Sequence, residues 1–151
     1  MGIAVLLTGN QADRHAVDHA VSLARRTDDT VFGLRDRRPA AAGQETSLGH
    51  SLAILLREAD ACGVAVECHD LPVEEERELI AFLRQHRIRC LVVGADDRSE
   101  ERRVGRWLED VRRAIARDQD WAMRSFWTMI AVPGGTSTTA SGDRAPPVPD
   151  G

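Results

Sequence analysis

The 151 residues contain no lysine and no tyrosine, so all 20 basic side chains are arginine. Chemistry that needs a lysine, whether as Schiff-base nucleophile, adenylated amine or phosphate-loop cation, is therefore excluded. Aromatic residues make up only 4% of the chain, which leaves the core to aliphatic side chains. Cysteine is scarce as well. Cys62, Cys68 and Cys90 are odd in number and form no CxxC pair, which signals neither a disulfide framework nor a zinc site. They read as small hydrophobes in a reducing compartment. Long apolar runs are also missing. Stretches such as Ile3 to Leu7 and Cys90 to Val93 run only a handful of residues, far short of the roughly 20 that span a bilayer, so no membrane helix is expected. The start MGIAVLLTGN lacks the basic flank and cleavage site of a secretory signal, and the chain reads as cytoplasmic. With a formal charge of −4, the protein is not expected to bind nucleic acid.

What is present fits one domain. A chain of this length buries about 70% of its unfolded surface and needs no staple. Ile3 to Leu7 is a short continuous apolar strand ended by Gly9-Asn10, a turn signal. From Ala12 to Arg26 the period becomes helical, with Ala16, Val17, Ala20, Val21 and Ala24 facing in and Asp13, Arg14, Asp18 and Arg25 facing out. Thr30 to Leu34 reads as a second strand, and Leu48 to Ala59 as a second helix that Gly63 terminates in a left-handed conformation. Val64 to Cys68 is a third strand. Pro72 starts a third helix whose first turn carries Glu74, Glu75 and Glu76. Arg89 to Gly94 is a fourth strand, of the fully buried kind; a long helical pattern through Val104, Trp107, Leu108, Val111 and Ile115 follows, then a fifth strand at Thr128 to Val132.

Strands that alternate with helices and read as continuous apolar runs predict an α/β fold: a five-stranded, mostly parallel open sheet, doubly wound, with helices on both faces. The domain is expected to cover residues 1–133. Residues 134–151, rich in Gly, Pro, Ser and Thr, read as a disordered tail. Two of the three tryptophans fall in Ala116 to Trp127, where they either cap the core or form a contact surface.

Ligands of such sheets bind beyond the carboxyl ends of the strands, here at Thr8-Gly9-Asn10 and at Gly94-Ala95-Asp96-Asp97-Arg98. The first turn lacks the further glycines of a dinucleotide fingerprint. His15 and His19 stand four apart on the first helix, but with no HExxH glutamate they read as a solvated face and not a metal site. No serine sits on a strand-to-helix elbow, so no catalytic triad is signalled and no enzyme activity is expected. A receiver domain of similar layering needs an acidic cluster after the first strand and a later lysine, which this chain does not have.

On the order of its elements, the strand RCLVVGADDR with its glycine turn, Gly105 and the last strand WTMIAVP, the chain from Ile3 to Pro133 resembles the universal stress proteins. ATP-binding members of that family carry an acidic residue at the end of the first strand and a loop G-x2-G-x9-G-[ST] whose N–H groups wrap the phosphates. This sequence departs from both features. Thr8 stands at the strand end; Gly94 matches the first loop glycine; Asp97 replaces the second; and Gly105 is followed by Arg106 instead of Ser or Thr. The resemblance thus implies a cytoplasmic stress-response or regulatory module without a cofactor, acting through an unidentified protein partner. Its alternative is an ATP/AMP-binding protein, with Mg²⁺, that uses Gly94, Asp97, Arg98, Gly105 and Arg106 around the phosphates and Thr8, Gly9 and Asn10 near the ribose. The resemblance also implies a homodimer through the last strand, since Thr128 to Val132 would otherwise leave an exposed apolar edge.

Overall fold

The structure, a computed structural model, describes residues 2–36, 44–72, 75–117, 126–133 and 135–140. Strand β1 (Gly2–Leu7) leads through helix α1 (Asp13–Thr27) to β2 (Thr30–Asp36), and α2 (Gln44–Cys62) leads to β3 (Val66–Leu71). The chain then crosses back through α3 (Glu76–Gln85) to β4 (Ile88–Gly94), and α4 (Arg98–Ala116) connects to β5 (Trp127–Val132) and β6 (Gly135–Ala140). The sheet order is β3-β2-β1-β4-β5-β6. Its first five strands are parallel, as the apolar runs predict.

Period-two alternation divides the core between the two faces of the sheet. Ile3, Val5 and Leu7 of β1 pack with Val17, Val21 and Leu55 beneath α1 and α2. Ala4 and Leu6 point the other way, against Leu79, Leu83, Leu108 and Ile115 of α3 and α4. Because β1 lies between β2 and β4 with both faces covered, all six of its residues are buried. Helix α2 closes as its glycine predicts: Gly63 has φ +68°, its N–H donates to the Asp60 carbonyl and the Val64 N–H to the Ala59 carbonyl. That pair of bonds is a Schellman motif. Cys90 is buried, and burial pushes its thiol far above the ordinary range. Cys68, on the edge strand, is exposed, and partial burial raises its thiol against the opposing pull of Arg35.

Several boundaries differ from the sequence expectation. Helix α3 begins at Glu76, with Glu75 at its N-cap; Pro72 accepts the Glu75 N–H at 2.9 Å and so opens a turn before the helix. Glu74 and most of the Ala116 to Trp127 segment lie outside the described residues. The tail expected from residue 134 instead contributes β6, which runs antiparallel to β5 from Trp127↔Ala140 to Val132↔Gly135. Three threonines in GTSTTA supply β-branched strand formers that a count of apolar residues overlooks. The edge of β5 is therefore not open. All six of its residues pair with β6, and a homodimer built on Thr128 to Val132 would first have to displace that strand. The opposite edge, β3, carries Glu67 and Asp70, and Asp70 takes a two-pronged ion pair from Arg35 (2.7 and 3.0 Å). Charge of this kind protects an edge strand from unwanted pairing.

Candidate functional site

Strand order reverses between β1 and β4: the chain steps outward through β2 and β3, then returns to the other side of β1. The crevice at such a switch point lies beyond the strands' carboxyl ends. Here it is a cleft of about 520 Å³, lined by the turn Gly9, Asn10 and Gln11, by Arg14 and His15 of α1, by Ser47, His50, Ser51 and Ile54 of α2, and by Asp96 after β4.

One carboxylate organises the floor. Asp13 was read from the sequence as outward-facing, yet it is 1% exposed. Its oxygens accept the Thr8 N–H (3.0 Å to each), the Thr8 hydroxyl (2.8 Å), the Gly9 N–H (2.8 Å) and the Ser51 hydroxyl (2.6 Å). The turn after β1 needs this because Gly9, at φ +84°, aims its N–H inward, where only a side chain can satisfy it. An acid near the end of the first strand does exist in this protein. It lies five residues beyond Thr8 and is saturated by its own loop, so its lone pairs are not free for a ribose. The sequence signal for the partner was available: Ser51 sits three residues after Leu48 and four before Leu55, on the apolar stripe of α2. A hydroxyl there marks a buried polar partner.

The candidate phosphate residues do not converge. Gly94 ends β4 buried against the start of α1; a Cβ at that position would stand 2.2 Å from the Ala12 carbonyl oxygen, so this glycine serves close packing between backbone segments. Only Ala95, Asp96 and Asp97 separate it from α4. Asp97 is the N-cap of that helix, its carboxylate accepting the Glu100 N–H at 2.8 Å. Gly105 and Arg106 lie within α4 itself, Gly105 facing Ile130 at 3.7 Å from its would-be Cβ. Gly94, Asp97 and Gly105 therefore trace no loop. Aspartate at the cap position favours a helix start immediately after the strand, and the run Arg98–Ala116 absorbs the residues that a phosphate loop would need. Gly9 and Asn10 line the crevice, and Thr8 is tied to Asp13 just before them. His15 and His19 are half-buried on α1; among the described residues no group of three His, Cys, Asp or Glu side chains could hold a metal ion. Nor, among the described residues, is any helix long and apolar enough to cross a membrane.

No protein-family model matches the chain, and no curated protein matches it in sequence. Solved structures do match in fold. A universal stress protein in complex with cAMP superposes with a TM-score of 0.55 at 17% identity, covering 94% of this chain and 98% of that one. A universal stress family protein from Burkholderia pseudomallei gives 0.55 at 16% identity, covering 87% and 93%. The universal stress protein from Archaeoglobus fulgidus in complex with dAMP gives 0.54 at 15%, covering 87% and 96%. Element order, five parallel strands and near-complete mutual coverage lead to one conclusion: this chain is built on the universal stress protein fold.

Proposed function

We propose that the protein is a non-catalytic regulatory module of universal-stress-protein type that does not hold ATP in the usual way and acts by contact with a partner protein. The observation that carries this reading is the three-residue connection from Gly94 to α4, capped by Asp97. A polyphosphate needs consecutive backbone N–H groups turned toward it. Here the Ala95 N–H is committed to the Ala131 carbonyl and the Glu101 N–H to the Asp97 carbonyl, and the carboxylate of Asp97 occupies the donor of Glu100. Asp96 adds a second negative charge at the cleft. The expected result of calorimetric titration with ATP and Mg²⁺ is binding weaker than about millimolar, which corresponds to about −4 kcal/mol, with no nucleotide carried through purification. Micromolar binding that disappears in Arg98→Ala would overturn the proposal.

A second reading is favoured by the cleft alone. Its volume lies within the range of small-ligand sites, and Arg14, His15 and His50 offer donors to a single anionic group. A nucleoside monophosphate needs less cradle than ATP, and two of the structural neighbours are complexes with cAMP and dAMP. Titration with AMP and cAMP in the same experiment decides it, because binding lost in Arg14→Ala would place a ligand in the cleft.

Self-association is proposed in modified form. With β5 closed, a second copy pairing on this side of the sheet would meet β6, Gly135–Ala140, an uncharged strand without proline. Sedimentation velocity is expected to show dimers of the full chain that a Thr138→Pro variant lacks; an unchanged dimer in that variant would place the interface elsewhere.

A further inference from the structure

Helix α4 is stable for reasons that its amino-terminal arginines do not share. Leu108, Val111 and Ile115 are buried against the sheet and Asp97 caps the first turn. Arg98, Arg102, Arg103 and Arg106 are all exposed, and none of their side chains makes a hydrogen bond or ion pair with another described residue. Arg98, Arg102 and Arg106 follow at four-residue steps and form one stripe, with Arg103 beside it, so like charges stand next to like charges one turn apart. Arg98 also sits in the first turn, at the positive end of the helix dipole, where a cation is unfavourable. Farther along the same exposed face the pattern changes. Arg113 meets Glu109 (3.6 Å) and Asp110 (3.4 Å), and Arg117 reaches Glu76 of α3 (3.9 Å). Bare positive charge is thus confined to the first half of the helix, where no ion pair among the described residues uses it. Local rules broken without a compensating internal contact mark a functional surface.

We propose that the exposed face of α4 from Arg98 to Arg106 is a docking surface for an acidic segment of a partner protein. The proposal rests on the reading that the module works by protein contact, and it supplies the surface and the partner's chemistry. Carboxylates at four-residue spacing on a partner helix match the arginine stripe step for step, and each guanidinium can grip one of them through two parallel N–H bonds. Nucleic acid fits less well. The chain carries −4 overall with a pI of about 5.7, and Asp96, Asp97, Glu100 and Glu101 interleave with the arginines along the same two turns. A phosphate backbone running past the stripe would meet those carboxylates, whereas discrete acidic side chains can address the arginines one at a time.

The test uses the full chain and a fluorescent helical peptide of alanine and glutamine with glutamates at every fourth position, read by anisotropy at low ionic strength. Arg102→Gln/Arg106→Gln is expected to weaken peptide binding by at least about tenfold. Arg113→Gln, at an arginine already paired, should change it by less than about twofold. The double variant should unfold at the same temperature as the parent or above it, since neither side chain makes an ion pair with another described residue and the change removes a like-charge pair one turn apart; a clear fall would assign the arginines a structural role and overturn the proposal. Absence of peptide binding to the parent chain, or equal binding by the double variant, overturns it too. Tighter binding of a single-stranded thymidine oligonucleotide, lost in the same variant, would make the surface one for nucleic acid. ATP with Mg²⁺ is added as competitor. Displacement of the peptide by ATP would refute this proposal and the loss of nucleotide binding together, whereas failure of the peptide without ATP binding refutes the docking surface alone.

Discussion

Replacing Asp13 by alanine is expected to cost about 3 kcal/mol of folding stability, because hydrogen bonds to a charged group contribute about 1.5–3 kcal/mol and the partners left behind are buried. The Thr8 and Gly9 N–H groups would lose the carboxylate that accepts them, as would the Thr8 and Ser51 hydroxyls. For a chain of this size, that loss lowers the unfolding midpoint by about 6–12 °C. Asp13→Asn should recover little, since its amide NH₂ would point at donors. Ser51→Ala, which removes a single partner, should cost about 1 kcal/mol. Urea and thermal denaturation followed by circular dichroism measure all three. A change below about 0.5 kcal/mol for Asp13→Ala, the range of an ordinary surface substitution, would show that the turn after β1 does not depend on this carboxylate. The consequence for function is direct. The residue that organises the crevice floor is committed to the fold, so a ligand there would meet other side chains of the lining, Arg14, His15 and His50 among them.

Gly94→Ala should be at least as damaging, while the same change at Gly105 should act in the opposite direction. A methyl at position 94 would lie 2.2 Å from the Ala12 carbonyl oxygen, 2.6 Å from its carbon and 3.0 Å from its Cβ. Two of those atoms belong to the backbone at the start of α1 and cannot swing aside as a flexible side chain could. Relief requires α1 to move off the sheet, and overpacking of this kind costs about 3 kcal/mol or more. At Gly105 the nearest neighbour is the Ile130 methyl at 3.7 Å, an ordinary contact, and the position is inside a helix. Alanine there should stabilise the protein by about 1 kcal/mol. Denaturant midpoints of the two variants check the pair. Stabilisation by Gly94→Ala, or destabilisation by Gly105→Ala, would contradict the division between a packing glycine and a helix-interior one. A glycine that wraps a phosphate would behave as neither.

The sequence by itself determined the alternation of strands and helices, the parallel sheet and most of the core. Ile3 to Leu7 and Cys90 to Val93 read as strands covered on both faces because their apolar character does not alternate, and β1 and β4 are the two strands at the switch point. The Schellman end of α2 was equally legible, since only glycine takes that left-handed position at no steric cost. Spacing also brought Gly9 and Asn10 to the crevice. It could not decide what each polar residue does there, because that depends on partners far away in the chain. Asp13 shares the helical phase of the buried Ala16, Val17, Ala20 and Ala24, so its inward position was legible, but its role as an anchor waits on α2, which delivers the Ser51 hydroxyl to it. Gly94 and Gly105 are both lone glycines near a charged stretch, and only the approach of Ala12 to one of them separates their roles. GTSTTA lacks the apolar residues that mark a strand, and it becomes one because β5 presents an unpaired backbone edge beside it. Local patterns fix which elements form, since they depend on neighbours within a few residues. Whether a carboxylate is a ligand, a helix cap or the anchor of a turn is set by what the fold places opposite it, and in this protein Asp13 is buried as the anchor of a turn and Asp97 is an exposed helix cap, while four arginines of α4 are left bare.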